Sequence, residues 1–167
     1  MMLDSSTRRN LELCETLREK QKRGSLLWVL DKTRTAMGAR TLRKFVEQPL
    51  IDKNEINRRL DAVEELKEQA ISREEIREYL SPVYDLERLI TKITYGSANP
   101  RDLTAFKSSL EMLPPIRYIL EEMKVPLLQE IYEDLDALED LCDLVTKAIR
   151  ERASDRNERG KYYPGRV

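Results

Sequence analysis

The amino-acid sequence predicts an all-α protein, a bundle of antiparallel amphipathic helices with one long helix at the C-terminal end. Three observations favour this fold class. Only 5 glycines and 7 prolines interrupt the 167 residues, whereas a β-sandwich or barrel needs a turn signal about every 8–12 residues. Apolar side chains recur at steps of three and four, the spacing of one helix face. No segment shows a convincing alternation of apolar and polar residues, the pattern of a half-buried strand.

Two capping signals open the N-terminal part of the chain. Residues 4–7, with the sequence DSST, offer several side chains that can accept a hydrogen bond from the first turn of a helix. Gly24 then breaks the chain, and Ser25 can cap a short apolar helix over residues 26–30. These signals predict two short helices before residue 31.

A third helix is predicted from about Thr35 to Glu47. It ends before Pro49, because the residue that precedes a proline avoids the helical conformation. Gly38 lies inside this helix, where a glycine costs about 1 kcal/mol relative to alanine. We interpret Gly38, with its small neighbours, as a point where another helix approaches closely.

The middle of the chain carries repeated helix starts. Asp52 with Glu55, and Ser72 with Glu75, have the spacing of a capping box, and Asn99-Pro100 combines a capping side chain with a proline at the first helical position. Each start precedes or opens an apolar stripe at helical spacing. The stripes are Ile56, Leu60 and Val63; Leu86, Leu89, Ile90 and Ile93; and Leu103, Phe106, Leu110 and Leu113, which ends at Pro114-Pro115.

The segment after Pro126 is predicted to be the longest element, with a heptad seam sustained over three repeats. The seam residues are Leu128, Ile131, Leu135, Leu138, Cys142, Val145 and Ile149. From Glu151 onward the chain has almost no aliphatic residues and no period. We therefore predict one domain over residues 1–150, followed by an irregular tail over residues 151–167.

Composition excludes several function classes. The net charge of −1 excludes a global polycation that grips nucleic acid, although residues 1–59 carry a net +6 and residues 121–149 a net −7. The absence of histidine excludes His-based triads and zinc fingers. Cys14 and Cys142 lack the spacing of a metal site, and reduced thiols favour a cytoplasmic location. No apolar run is long enough for a membrane span.

Two charged features are candidates for chemistry. An acidic cluster comprises Glu130, Glu133, Asp134, Asp136, Glu139, Asp140 and Asp143. It could hold a divalent ion, but a Ca²⁺ loop needs backbone carbonyls and a glycine turn, so a solvated or partner-facing helix flank is favoured. Basic doublets that could touch phosphates occur at Arg8-Arg9, Arg40 with Arg43-Lys44, and Arg58-Arg59. Such doublets more often form salt bridges, and Trp28, Phe45 and Phe106 lie in apolar patterns that do not suggest base stacking.

Five strings carry a resemblance to a known family. They are MMLDSSTRRNLEL (1–13), GSLLWVLDKTRTAMGARTLRKFVEQPL (24–50), INRRLDAVEEL (56–66), YDLERLITKITYGSANPRDL (84–103) and SLEMLPPI (109–116). Over residues 1–150, in this order and spacing, the chain resembles the core domain of the MutS family, the ATP-dependent DNA mismatch-recognition proteins of bacteria. The tail departs from the family pattern.

The resemblance implies a fragment of a scaffold. In the intact family member the long core helices act as levers between a DNA clamp and an ATPase. ATP and magnesium are implied for the intact protein, mismatched DNA is bound through other domains, and a MutL-type protein is a family partner. No Walker A string occurs in this chain. We therefore assign it no catalytic, cofactor-binding, metal-binding or DNA-binding residue and expect it not to be an enzyme by itself.

One short motif tests this transfer. The family reads mismatches with a Phe-x-Glu motif, and Phe45-Val46-Glu47 matches that pattern. The functional motif belongs to the family's separate N-terminal domain, so we interpret the match as a coincidence.

Two other functions remain open. The chain could be a free-standing helical adaptor that dimerises through the seam at 128–149, or a hydrolase or metal-dependent enzyme that uses the acidic cluster. The resemblance carries one further expectation. In the family the core is completed by chain that returns after the clamp, so without that chain the seam is expected to stay partly exposed and to drive self-association, with the basic segment 1–59 as its electrostatic complement.

Overall fold

The computed structural model describes the backbone of residues 3–159 and the side chains of residues 3–149. Within the described backbone there is no strand, which confirms the predicted all-α class. The helices are α1 Ser5–Asn10, α2 Leu26–Leu30, α3 Ala36–Glu47, α4 Lys53–Glu68, α5 Ala70–Leu80, α6 Leu86–Thr94, α7 Pro100–Leu110, α8 Leu113–Glu121, α9 Pro126–Asp134 and α10 Glu139–Arg159. Helix α10, with 21 residues, is the long C-terminal helix. Over the described part of the chain, no helix is both long and apolar enough to cross a membrane.

Most predicted helix starts are confirmed by their hydrogen bonds. The Asp4 carboxylate accepts from the Thr7 amide (2.6 Å), and the Thr35 hydroxyl accepts from the Gly38 amide (3.0 Å). The Asn99 side chain accepts from the Asp102 amide (2.9 Å), while the Asp102 carboxylate accepts from the Asn99 amide (3.0 Å). This reciprocal pair is a complete capping box, which fixes the first turn of α7. Ser25 caps α2 by accepting from the Trp28 amide, and Asp52 caps α4 by accepting from the Asn54 and Glu55 amides. The predicted Asp52–Glu55 capping box thus shows only the bonds to Asp52, whereas the one at α7 is reciprocal.

The predicted continuous heptad helix after Pro126 is wrong. Helix α9 ends at Asp134, and residues 135–138 form a connection before α10 begins. Leu138 has φ of 51°, a left-handed conformation that ends helical continuity, and its amide donates to the Asp136 carboxylate at 2.9 Å. The apolar spacing of three and four therefore crosses a turn, and its two halves lie on different helices.

Three further boundaries differ from the sequence prediction. Helix α5 begins at Ala70, so Ser72 and Glu75 lie inside it and form no capping box. Pro114 and Pro115 lie in the first turn of α8, a helix that the sequence analysis did not predict; prolines are tolerated there because the first amides have no helical partner. Helix α10 continues to Arg159, so residues 151–159 are helical rather than irregular, and residues 160–167 of the predicted tail lie outside the described residues.

Two apolar clusters form the core. The first cluster joins α4, α8 and α9 through the buried residues Ala62, Ile116, Ile119, Leu120, Met123 and Leu128, with α5 packed against them. The second cluster joins α6, α7 and α10 through Leu89, Phe106, Leu110 and Val145. Helices α7 and α8 contact each other and connect the two clusters. We call residues 53–149 the helical body.

Residues 3–51 form a separate N-terminal unit with a much smaller interior. Its buried residues are Leu13, Leu27 and the hydroxyl-bearing Ser25, and α3 has no buried residue. The Leu26 and Leu27 amides donate to the carbonyls of Glu12 (3.1 Å) and Leu13 (2.8 Å), which holds the segment after α1 against α2. The unit therefore depends on hydrogen bonds more than on apolar burial.

The predicted apolar face of α4 is on the wrong side of the helix. Ile56, Leu60 and Val63 are 36%, 58% and 61% exposed, whereas Ala62 is buried in the first cluster and Leu66 packs beside it. The sequence analysis named the three larger side chains as the apolar stripe of an amphipathic helix. In the structure they are exposed, and the opposite side of α4 packs in the core.

The interpretation of Gly38 is also wrong. Gly38 is the third residue of α3, and a Cβ placed there would lie 3.1 Å from the Thr35 hydroxyl and 3.6 Å from Thr33 Cβ. These neighbours belong to the N-terminal cap of the same helix. None of the three atoms nearest to that Cβ belongs to another helix, so the position is not set by a close helix–helix approach.

Candidate functional site

The acidic cluster is a solvent-exposed flank. All seven carboxylates, from Glu130 to Asp143, are exposed and are divided between α9, the connection and α10. Glu130 forms an ion pair with Arg58, and Asp136 accepts from the Leu138 amide. Within the described residues no group of three or more Asp, Glu, Cys or His side chains could hold a metal ion. The geometry thus does not support an ion site here.

The basic doublets are largely engaged inside the chain. The Arg58 guanidinium pairs with Glu130 and approaches Glu55 at 3.7 Å, and Arg59 stacks over the Phe45 ring at 3.9 Å from its centroid. Arg8 lies 3.9 Å from Glu47. These contacts support the salt-bridge interpretation over a phosphate-binding one.

Glu47, the acidic member of the Phe-x-Glu match, ties three segments of the N-terminal unit together. Its carboxylate accepts from Arg43 (2.9 Å) and from the Cys14 thiol (3.3 Å). Burial raises the pKa of Glu47, but the hydrogen bonds from Arg43 and Cys14 outweigh it and hold the pKa below its ordinary value. Burial and the bond to Glu47 raise the pKa of Cys14. The Phe-x-Glu residues are thus occupied by contacts within the unit.

Arg40 joins the N-terminal unit to the helical body. Its guanidinium donates to both carboxylate oxygens of Asp85, at 2.6 and 2.9 Å, and pairs with Glu87. Asp85 also caps α6 by accepting from the Arg88 amide at 3.3 Å. The hydrogen bond from Arg40 lowers the pKa of Asp85, and the same bond raises the pKa of Arg40. We call this contact the Arg40 fork.

Glu65 makes a second long-range contact, inside the body. From the last turn of α4, its carboxylate accepts from the Lys124 amide at 2.8 Å and from the Val125 amide at 2.9 Å. These two amides precede α9, which has no side-chain cap of its own. The α4 carboxylate thus replaces a local cap and fixes how α9 begins against α4. We call this contact the Glu65 clamp.

Ser109, in the last turn of α7, forms the third contact. Its hydroxyl is fully buried, donates to the Ala105 carbonyl at 2.8 Å and accepts from the Tyr84 amide at 3.0 Å. It therefore fixes the segment between α5 and α6 to the end of α7. We call this contact the Ser109 junction.

These three contacts position helices and contain no arrangement for bond-making chemistry. Neither free cysteine is paired with a histidine, and the pKa of Cys142 is raised, chiefly by burial, which disfavours the reactive thiolate. The candidate functional site is therefore the set of joints formed by the Arg40 fork, the Glu65 clamp and the Ser109 junction. Sequence analysis named Arg40 but missed Glu65 and Ser109. No local signal identifies either residue, since their partners are 59 and 25 residues away.

The family model and the relatives that match this chain agree on one family. Residues 6–164 match the family model for MutS domain III. The chain is 66% identical over 151 residues to the DNA mismatch repair protein MutS of Lachnoclostridium phytofermentans, covering 90% of this chain and 16% of that protein. It is 54% identical over 149 residues to MutS of Acetivibrio thermocellus (89% and 17%) and 51% identical over 160 residues to MutS of Caldanaerobacter subterraneus subsp. tengcongensis (96% and 18%). The chain thus spans about a sixth of the length of these relatives.

Proposed function

Since the chain belongs to the MutS family, we propose that it is the scaffold of a DNA mismatch repair protein, a helical core that links a DNA clamp to an ATPase. In this role the chain carries no reaction. It transmits a displacement from one end to the other because packed helices move as rigid elements and rearrange at their joints. The full-length activity is thus assigned to regions outside this chain.

The observation that supports this proposal is the continuous path of packed elements. The Arg40 fork joins the N-terminal unit to α6, the second cluster joins α6 to α7 and α10, and the Ser109 junction lies beside the contact of α7 with α8. From α8 the first cluster leads to α4 and α9, where the Glu65 clamp fixes the helix start. A displacement of the helices at either end of this path is therefore transmitted through a contact that two or more hydrogen bonds hold.

The ligands of the full-length protein are proposed on the same basis. ATP with magnesium, mismatched DNA and a MutL-type partner would bind outside this chain, and the whole would act in the cytoplasm. The described residues do not fit a bound metal, because no three or more Asp, Glu, Cys or His side chains among them are grouped so that they could hold an ion. They do not fit a nucleotide, because the sequence has no Walker A string that would bind its phosphates. We therefore derive no step through these ligands.

The two other functions are less well supported. An adaptor that dimerises through the seam at 128–149 would need that seam on one surface, but Leu128 and Val145 are buried in different clusters. A metal-dependent hydrolase would need the exposed carboxylates to converge, and they are spread along two helices.

The test of the scaffold uses the full-length protein with Ser109→Ala. The substitution leaves the Tyr84 amide without its acceptor inside a buried joint, so we expect mismatched DNA to change the rate of ATP hydrolysis less than in the wild type. Basal ATP hydrolysis and the affinity for mismatched duplex, measured separately, should stay close to wild type. The matched control is Ser108→Ala, because Ser108 is adjacent but only half-buried. Equal stimulation in both variants would contradict the lever role, and loss of either separate activity would place Ser109 in a site instead.

A further inference from the structure

The N-terminal unit and the helical body share no apolar core. Neither apolar cluster contains a residue from 3–51. Among the described residues, no extensive helix–helix contact joins α1, α2 or α3 to a helix of the body. Side chains bridge the two regions at the Arg40 fork and at the stack of Arg59 on Phe45. The attachment of the unit to the body therefore depends on charge rather than on apolar burial.

A short connection without regular structure joins the two regions. Helix α3 ends at Glu47 and α4 begins at Lys53. Between them, Leu50 and Ile51 are 36% and 71% exposed, and their amides form no hydrogen bond within the described part of the chain. Rotation about the backbone of these two residues therefore breaks no amide hydrogen bond, which is the property of a hinge.

The two bridging contacts lie at different distances from this connection. Phe45 is two residues before the end of α3, and its partner Arg59 is in the second turn of α4. Arg40 is five residues before Phe45, which is about 7.5 Å further along the helix axis. The stack is thus close to the hinge and moves little when the unit turns. The Arg40 fork is further away, so the unit can separate from α6 only when the fork opens.

The Arg40 fork can open without damage to the helical body. The side chains of Arg40 and Glu87 are 46% and 73% exposed, so their charges return to water when they separate. Asp85 keeps its bond from the Arg88 amide, and a carboxylate at a helix N-terminus is stabilised by the helix dipole. Helix α6 therefore stays capped after Arg40 leaves.

We propose that the N-terminal unit is a hinged arm that the Arg40 fork holds against α6, and that opening of the fork lets the unit turn about residues 48–52. Because one exposed ion pair shifts an equilibrium by only about 1.4- to 5-fold, the closed and open forms coexist. Ionic strength sets their ratio, since salt screens exposed charges. The fork and the hinge both lie in this chain, so the rest of a full-length protein can bias this equilibrium without creating it. The proposal does not depend on the scaffold role.

The experiment measures the distance between the unit and the body by pulsed electron paramagnetic resonance. Spin labels are attached to the whole chain at Lys32→Cys in the unit and Tyr95→Cys in the body, both of which alter exposed residues. Cys14→Ser and Cys142→Ser remove the native thiols, and a serine at the first position can still donate to Glu47. We expect a second distance to appear when the salt concentration rises from about 0.01 M to about 1 M, because the Debye length falls from about 30 to about 3 Å.

Three variants test the Arg40 fork itself. Arg40→Gln removes the pairs with Asp85 and Glu87, so it should raise the ratio of open to closed forms about 2- to 25-fold at low salt, the product of two exposed pairs. Glu87→Gln removes one pair and leaves the α6 cap in place, so we expect about 1.4- to 5-fold. The matched control is Lys44→Gln, which removes the same charge from α3. Lys44 is exposed and forms no ion pair within the described residues, so this variant should behave as the wild type.

A second pair of labels separates rotation from unfolding. Placed at Arg9→Cys and Lys32→Cys, both labels lie inside the unit, and their distance should stay constant in every variant and at both salt concentrations. A distribution that broadens there would show that the unit unfolds instead of turning, and would overturn the proposal. The proposal also fails if the distance between positions 32 and 95 is the same in the wild type and Arg40→Gln at both salt concentrations, or if Lys44→Gln opens as far as Arg40→Gln.

Discussion

The N-terminal unit and the helical body are held together by different forces. In the unit, Trp28, Val29 and Leu30 are 48%, 58% and 47% exposed, and the main long-range contacts are the bonds of Glu47 and the Arg40 fork. In the body, two apolar clusters bury side chains from six helices, with α5 packed against the first. Charged contacts near the surface weaken in salt and acid, whereas apolar burial has no charge that salt can screen or acid can neutralise.

This difference teaches how the molecule can move. A helical body with a packed interior stays rigid, while a unit attached through the Arg40 fork and the stack of Arg59 on Phe45 can shift without breaking an apolar core. The two regions can also be followed separately. Trp28 is the only tryptophan and lies in the N-terminal unit, so its fluorescence reports on that unit, while the helical circular dichroism reports mainly on the body.

The largest loss of unfolding free energy is expected from Leu110→Ala. Leu110 is 2% exposed at the centre of the second cluster, and removal of such a side chain typically costs about 2–5 kcal/mol of unfolding free energy. Denaturant unfolding followed by circular dichroism measures it. The control, Leu26→Ala in the N-terminal unit, alters a leucine that is 45% exposed and should cost well under half as much. Equal losses would mean that the two regions do not differ in packing.

A smaller loss of unfolding free energy is expected from Glu65→Ala, which tests one of the long-range polar contacts inside the body. The substitution removes the acceptor of the Lys124 and Val125 amides, and loss of a helix cap typically costs about 0.5–2 kcal/mol. Denaturant unfolding again provides the measurement. Glu64→Ala, an exposed neighbour on α4, should change the unfolding free energy much less. If the two variants behave alike, the Glu65 clamp adds nothing to stability.

Lowering the pH should destabilise the N-terminal unit before it destabilises the helical body. Hydrogen bonds from Lys22 and Thr33 lower the pKa of Asp31 to about 2, and the bond from Arg40 lowers that of Asp85. Because these pKa values fall on folding, the contacts stabilise the protein above the unfolded pKa of about 3.9 and the benefit disappears as the pH falls toward 2. Asp102, with a lowered pKa through the Asn99 amide and Lys92, is the described body carboxylate that shifts without a tie to the unit.

The measurement is a pH titration that follows Trp28 fluorescence and circular dichroism in parallel. The fluorescence should change between about pH 4 and 2, before most of the helical signal is lost. In Asp31→Asn the fluorescence change should shrink, because the titrating group is gone. Coincident transitions in the wild type would show that the unit and the body unfold as one.

Local signals in the sequence predicted the local structure well. Asp4, Ser25, Thr35 and Asn99 cap helices because a capping side chain and its amide lie within three residues of each other. Periodicity, by contrast, identifies an apolar face without identifying its partner. That is why Ile56, Leu60 and Val63 were named as the apolar stripe of α4, although the smaller Ala62 side is the one that packs.

Tertiary contacts explain the remaining errors. The spacing from Leu128 to Ile149 fits one helix, but Leu138 adopts a left-handed φ and each half of the seam packs in its own cluster. The Glu65 clamp and the Ser109 junction are equally invisible to spacing, because a carboxylate or hydroxyl finds its partners only after the helices meet. Of the three candidate joints, only the Arg40 fork contains a residue that the sequence analysis named, because Arg40 belongs to a basic group with Arg43 and Lys44.

The smallest change in unfolding free energy is expected at Gly38, and it tests how tightly the first turn of α3 is constrained within the N-terminal unit. Replacement by alanine adds helix propensity worth up to about 1 kcal/mol at an interior position and less in the first turn. The new Cβ would lie 3.1 Å from the Thr35 hydroxyl, so the cap must shift by a few tenths of an ångström to accept it. The two effects oppose each other, and the Gly38 amide still needs its bond to that hydroxyl. We therefore expect the unfolding free energy of Gly38→Ala, followed by Trp28 fluorescence, to change by less than about 0.5 kcal/mol.

Thr35→Ala, which removes the cap itself, should cost about 1 kcal/mol. A loss at Gly38→Ala as large as that at Thr35→Ala would show that the cap cannot move, and that the first turn of α3 is as tightly constrained as the interior of the body.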